Sequence, residues 1–174
     1  EKEEALREAL PGINCGACGF SGCDGYAKAM AKGEAGATNC TPGGPSTQQA
    51  LAEILGLEVG DVQKVAAFVR CNGTCEFTNK KMAYAGTETC YGANQIFGGP
   101  QDCRFGCMGF GDCAAVCDYD ALHIVDGVAK VDPDKCVGCL KCITACPKNL
   151  IKMLPAENTA LVACSNQDKG GGVR

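Results

Sequence analysis

The sequence predicts an α+β chain: a small helical unit first, then a domain of short strands and helices threaded between cysteines. Three observations predict it. Helical spacing with clear stop signals is concentrated in the first third of the chain. Alternating apolar residues around Asp126-Gly127 mark a hairpin in the last third. The 16 cysteines among 174 residues fall in tight runs rather than at even intervals.

Residues 1–10 read as a polar helix stopped by Pro11-Gly12. A glycine-rich loop carries Cys15, Cys18 and Cys23. Asp24 to Lys32 then forms a short helix, with Tyr26, Ala29 and Met30 at helical spacing. Residues 40–45 turn the chain, Ser46 caps a helix running to Leu55, and Gly56 ends it. Val62 to Val69 is a β-prone stretch leading into Cys71, and a short helix is expected around Tyr91–Phe97. The hairpin pairs Leu122–Val125 with Val128–Val131 across Asp126-Gly127, a dipeptide that accepts the left-handed backbone a tight hairpin needs. Leu150–Leu154 and Ala160–Ala163 are further short strands, bounded by Pro155. These elements divide the chain into residues 1–58, a connecting segment 59–102, a second domain 103–158, and 159–174 as the start of a further module. That last expectation rests on an echo between Phe68-Val-Arg-Cys71-Asn and Leu161-Val-Ala-Cys164-Ser. Glu1 in place of Met, and the end Lys169 to Arg174, read as the ends of a piece cut from a longer chain.

Cysteine at this density serves either disulfide frameworks or metal sites. Cysteines two or three residues apart bring their sulfurs into one small volume, which suits a shared metal and is poorly suited to stapling distant segments. The composition supports the same choice. There is no Trp, aromatic residues make up 6%, and 24 residues are Gly. A core built from these is thin, so bound metal is expected to supply part of the folding energy. The net charge of -4, made more negative by metal-bound thiolates, argues against nucleic acid as a partner. No apolar run approaches the ~20 residues of a membrane span.

The strongest motif is Cys136-x2-Cys139-x2-Cys142-x3-Cys146-Pro147, the bacterial ferredoxin run. In such a run the first three thiolates hold one [4Fe–4S] cube and the fourth ligates a neighbouring cube. A second run is therefore required, and Cys103-x3-Cys107-x5-Cys113-x3-Cys117 supplies it, with longer early spacings and Asp118 where Pro is usual. The expected allocation is Cys103, Cys107, Cys113 and Cys146 on one cube, and Cys117, Cys136, Cys139 and Cys142 on the other. A third set, Cys15-x2-Cys18-x4-Cys23-x16-Cys40, places four thiolates in a compact unit. Its spacing fits a cube, and structural zinc fits the ligand count too. Three [4Fe–4S] clusters result. Cys71, Cys75 and Cys90 would serve as three ligands of a fourth cluster or stand as structural thiols, and Cys164 is left over. His123, the single histidine, lies between Leu122 and Ile124 and is expected to face solvent. Phe105, Met108 and Phe110 are expected to shield a cluster from water. No nucleophile–base set for bond-breaking catalysis is found.

These residues resemble a known family. Ile13-Asn-Cys15-Gly-Ala-Cys18-Gly-Phe-Ser-Gly-Cys23, with Cys40-Thr-Pro-Gly-Gly, is similar to the small [4Fe–4S] domain of the B subunits of Rnf complexes and, in variant form, of the corrinoid iron–sulfur protein. Cys103-Arg-Phe-Gly-Cys107-Met-Gly-Phe-Gly-Asp-Cys113, followed by Cys117, resembles the modified first ferredoxin run of clostridial-type Rnf B subunits. The order of the two domains matches that subunit family over nearly the whole chain. The resemblance implies a small helical [4Fe–4S] domain followed by a dicluster ferredoxin-like domain. It implies iron–sulfur rather than zinc at the first site. It implies electron transfer within a membrane-bound, ion-translocating ferredoxin:NAD oxidoreductase at the cytoplasmic face of the cell membrane. Reduced ferredoxin or flavodoxin would be the donor, and the other Rnf subunits the partners. An N-terminal membrane helix, absent from this chain, would be the anchor. The competing expectation is a freestanding soluble polyferredoxin.

Overall fold

The computed structural model describes residues 2–58, 63–157 and 160–169. Its backbone groups into two compact units.

The first unit is Glu1–Ala66 with the short segments Val137–Cys139 and Pro155–Glu157. Its three helices are α1 (Lys2–Ala9), α2 (Gly22–Ala31) and α3 (Gly44–Leu55). In α1, Glu3 and Glu4 occupy the first turn and Arg7 the last, as the helix dipole favours. Leu6 is its one buried residue, and Arg7 pairs with Asp24 of α2. On α2, Cys23, Tyr26, Ala27 and Met30 recur at helical spacing and are buried. Helix α3 starts earlier than the expected Ser46 cap. Its N-cap is Gly43, and no side chain caps it. Pro45 accounts for the difference, because it has no amide hydrogen to satisfy and its φ already suits a first helical turn. Gly56 ends α3 at φ +71, as expected. Leu6, Tyr26, Met30 and Leu51 are at most 1% exposed and form the centre of this unit.

The second unit is Ala67–Cys136, Leu140–Leu154 and Asn158–Arg174. Strand β1 (Val65–Val69) lies within the predicted stretch, whose first residue, Val62, is outside the described residues. Helix α4 (Cys90–Asn94) is capped by Thr89, whose hydroxyl accepts a hydrogen bond from Gly92 N at 3.1 Å. It stops short of the expected Phe97, where Phe97 and Gly98 take φ +48 and +72 and turn the chain. Two very short helices follow in sequence order around the hairpin: α5 (Asp112–Ala115), then β2 (Leu122–Val125) and β3 (Val128–Val131), then α6 (Lys141–Ala145). The hairpin register pairs Leu122 with Val131 and Val125 with Val128, as predicted. Asp126 and Gly127 take φ +49 and +79, the two positive values a type I′ turn requires. Strand β4 (Ile151–Pro155) pairs with β1 in a two-stranded sheet. Ala67, Val69, Leu122, Ala129, Leu150 and Ile151 form the core, and cysteines pack around it. The strand expected at Ala160–Ala163 is not formed: residues 160–163 have no regular structure. Among the described residues β1 and β4 already pair with each other, and an apolar stretch without a neighbouring strand leaves its amides to water.

Candidate metal centre

In the first unit the loop before α2 is bent for close approach. Asn14 has φ +52, and its side-chain oxygen accepts a hydrogen bond from Cys23 N at 2.8 Å. Gly22 (φ +84) allows this, since a Cβ there would lie 2.8 Å from that oxygen. Cys23 and Cys40 are buried, and Cys15 and Cys18 half-buried. The stretch of loop that returns Cys40 is pinned twice. The Tyr26 hydroxyl donates to Gly36 O at 2.5 Å and accepts from Asn39 N at 3.2 Å. The Gln48 amide donates to Cys40 O at 3.1 Å. Burial pushes the Cys40 thiol above its usual range, and the neighbouring charges of Cys23, Cys18 and Cys15 push the same way. A buried thiol beside three others is a donor set that a cation stabilises, because its charge takes over what water no longer supplies.

In the second unit Cys90, Cys107, Cys113 and Cys146 line one recess, walled by Val69, Met108 and other apolar residues. The Cys113 thiol is pushed up to about 12, by burial first and then by Cys107, Cys90 and Cys146. Burial also raises Cys107, with Cys71 and Cys90 adding to it. Cys103 is not among the residues lining the recess. It lies against Gly106, where a Cβ would be 3.5 Å from its sulfur, and its charge acts on Lys148. Lys148 donates to the carbonyls of Gly98 and Arg104. Its own pKa is lowered by burial, with Cys103 opposing.

Of the other ferredoxin-run cysteines, Cys117, Cys136 and Cys142 pack against the core of the second unit. Cys136 Sγ accepts from Ala67 N at 3.3 Å. Cys139 lies in Val137–Cys139, the segment grouped with the first unit. Cys71 Sγ accepts from Cys107 N at 3.3 Å. Cys75 is exposed beside the hairpin turn, with its amide donating to Asp126 O at 2.8 Å. Cys164 is exposed. Of Cys71, Cys75 and Cys90, the three further candidates, Cys90 lines the recess, the Cys71 sulfur meets Cys107 N, and Cys75 is exposed. His123 is exposed beside Asp120, as expected. Met108 lines the recess, and Phe110 meets Tyr84 edge-on at 5.5 Å, both with Cys90 in a small cluster.

Among the described residues no three His, Cys, Asp or Glu side chains are close enough to hold a single metal ion. A structural zinc draws its ligand atoms to within about 2.3 Å of one point.

One signal in the sequence escapes a reading based on cysteine spacing alone. A constant 29-residue offset maps Cys107 onto Cys136, Cys113 onto Cys142 and Cys117 onto Cys146. The backbone repeats at the same offset. Gly109 and Gly138 have φ +76 and +70, Gly111 and Leu140 +89 and +67, and Asp120 and Asn149 +49 and +52. Gly111 and Leu140 are the N-caps of α5 and α6. The first run is therefore Cys107-x2-Phe110-x2-Cys113-x3-Cys117, a ferredoxin run with Phe110 at the second cysteine position, and Cys103 stands outside it.

Comparison with known proteins agrees with this chemistry. The family model FeS, an Fe-S cluster domain, matches residues 10–42, and a 4Fe-4S binding domain matches residues 129–152. The chain is 46% identical over 166 residues to the B subunit of the Na(+)-translocating ferredoxin:NAD(+) oxidoreductase complex of Acetobacterium woodii, covering 95% of this chain and 50% of that protein. It is 36% identical over 173 residues to the B subunit of the proton-translocating ferredoxin:NAD(+) oxidoreductase complex of Clostridium ljungdahlii, covering 98% of this chain and 61% of the relative. It is 34% identical over 166 residues to the B subunit of the ion-translocating oxidoreductase complex of Methanosarcina acetivorans, covering 95% and 63%. The chain thus spans from half to just under two thirds of the length of these relatives.

Proposed function

We propose that this chain, homologous over nearly its whole length to the B subunits of ion-translocating ferredoxin:NAD(+) oxidoreductase complexes, relays electrons through [4Fe–4S] clusters within such a complex. The observation that carries the reading is the pair of ferredoxin runs related by a 29-residue offset, with thiols from both runs lining one recess. Three clusters are proposed. A first domain, over about residues 1–58, holds one through Cys15, Cys18, Cys23 and Cys40. A dicluster domain, residues 103–158 with help from the connecting segment, holds the other two. One is bound by Cys117, Cys136, Cys139 and Cys142, and the other by Cys107, Cys113 and Cys146 with one further thiol.

Each cluster, when bound, takes up and passes on single electrons with no bond made or broken in a substrate. The protein's own residues set the conditions. Asn14, Tyr26 and Gln48 fix the loops that present Cys23 and Cys40, so little rearrangement accompanies a change of charge. Met108 and the apolar wall of the recess keep water from the site, and the amides that point at Cys136 and Cys146 tune the sulfurs they meet. Reduced ferredoxin or flavodoxin is the proposed donor, and the remaining subunits of the complex are the proposed partners. No helix among the described residues is long and apolar enough to cross a membrane. Attachment at the cytoplasmic face of the membrane, through an N-terminal helix or through the partner subunits, belongs to the same proposal.

The test is anaerobic mixing of the cluster-loaded chain with reduced ferredoxin, followed by the bleaching of visible cluster absorption. Rapid, stoichiometric bleaching is expected. A loaded chain left oxidised by excess reduced ferredoxin would refute the donor assignment.

A further inference from the structure

We infer that Cys90 is the fourth ligand of the cluster held by Cys107, Cys113 and Cys146, taking the place that Phe110 leaves empty in the first ferredoxin run. The inference rests on the proposed cluster function and assigns a ligand within it.

In the second run the four positions are Cys136, Cys139, Cys142 and Cys146, and the 29-residue offset puts Phe110 opposite Cys139. The three positive-φ pairs that keep this register leave no room for an inserted loop between Cys107 and Cys113. The first run thus offers two thiolates to its own cube, Cys107 and Cys113, and Cys146 crosses over from the second run. A cube needs one more. Cys103, four residues before Cys107, is the neighbour that spacing suggests, yet it is not part of the recess wall. Cys90 is. It is buried, lines the recess together with Cys107, Cys113 and Cys146, and packs in one cluster with Met108 and Phe110.

Its position is fixed by the run itself. The Asp112 carboxylate, one residue before Cys113, accepts hydrogen bonds from Cys90 N at 2.8 Å and Tyr91 N at 3.0 Å. The matching residue of the second run is Lys141, which cannot accept a hydrogen bond and pairs with Asp118 instead. The run that lacks a cysteine is therefore the one that clamps an outside cysteine beside the gap.

The experiment compares the cluster-loaded wild-type chain with Cys90→Ala, Cys103→Ala, Cys71→Ala and the double variant Cys90→Ala with Phe110→Cys. Iron, acid-labile sulfide and EPR of oxidised and reduced samples are measured for each. About 12 irons are expected in wild type, Cys103→Ala and Cys71→Ala, against about 8, or about 11 with a three-iron EPR signal, in Cys90→Ala. The double variant returns the ligand to the run and should recover the wild-type count and spectrum. Recovery by a thiol placed in the run itself, with the Cys90 side chain still truncated, separates ligation from a packing role, and it also covers the case in which Cys90→Ala loses all its iron by unfolding. The inference is overturned if Cys90→Ala keeps every iron, if Cys103→Ala or Cys71→Ala loses them instead, or if Phe110→Cys fails to restore them. A three-iron signal in oxidised wild type would overturn it as well, because three thiolates alone would then serve the recess. A wild-type chain without labile sulfide would instead sink the underlying cluster function.

Discussion

Replacing Tyr26 by Phe removes one oxygen from the centre of the first unit and leaves the ring in place. The Tyr26 hydroxyl joins Gly36 O and Asn39 N, holding the loop that ends in Cys40. The ring packs 5.4 Å from that of Phe20 and is retained in Phe. Two hydrogen bonds are lost, each worth a net ~0.5–1.5 kcal/mol. Gly36 and Asn39 are exposed, so water can satisfy the freed groups, and a loss of about 1–2 kcal/mol is expected at neutral pH. The same hydroxyl gives the effect a pH signature. Burial, with Cys40 and Cys18 adding to it, pushes the Tyr26 phenol from 10.0 up to about 12. A pKa raised on folding means that the folded state keeps its proton where the unfolded state has lost it. Stability is then whole below pH 10 and falls by about 1.4 kcal/mol per unit as pH rises from 10 towards 12. Phe has no such limb. Anaerobic denaturant titrations, read by circular dichroism and cluster absorbance, should therefore show Tyr26→Phe weaker than wild type at about pH 8 and the gap closing by about pH 11. Equal stability at the lower pH, or a gap that does not change with pH, would refute the role given to this hydroxyl.

Gly109→Ala should destabilise the second unit by at least about 2 kcal/mol, because φ there is +76 and the new Cβ would sit 2.5 Å from Gly127 O. A denaturation midpoint equal to wild type would contradict the fit of the first run against the hairpin turn. Lys148→Met removes a positive charge beside Cys103, Cys107 and Cys146. It should make the potential of the recess cluster more negative, on the order of tens of millivolts, in a spectroelectrochemical titration, and no shift would place the charge elsewhere. Stripping iron with a chelator should abolish cooperative melting in both units, since Cys23 and Cys40 belong to one core and Cys113 to the other. Retention of a sharp melt would show that the apolar cores suffice.

What could be read from sequence, and what could not, follows from the range of each signal. The hairpin was legible because Asp126-Gly127 accepts the positive φ that a tight turn demands. Helix α2 was legible because Tyr26, Ala29 and Met30 recur often enough to show a face. Helices α5 and α6, of four and five residues, are too short for any period to appear. Ala160–Ala163 has the composition of a strand, but a strand needs a neighbour, and composition carries no information about one. The residues around the recess were harder still. Cys103 is close to Cys107 in sequence and invites grouping with it, while Cys90 reaches the recess through α4 and the Asp112 clamp. Phe110 conceals the repeat, because the mismatch falls on one of the cysteines used to find it. Backbone φ values are blind to that substitution and reveal the register.

The most direct test of the three proposed four-iron clusters is the iron and acid-labile sulfide content of the anaerobically prepared protein, with EPR after reduction. About 12 irons and about 12 sulfides per chain are expected, with interacting signals from the two clusters that share crossed ligands. A count of about 8, about 16, or bound zinc without labile sulfide would contradict it.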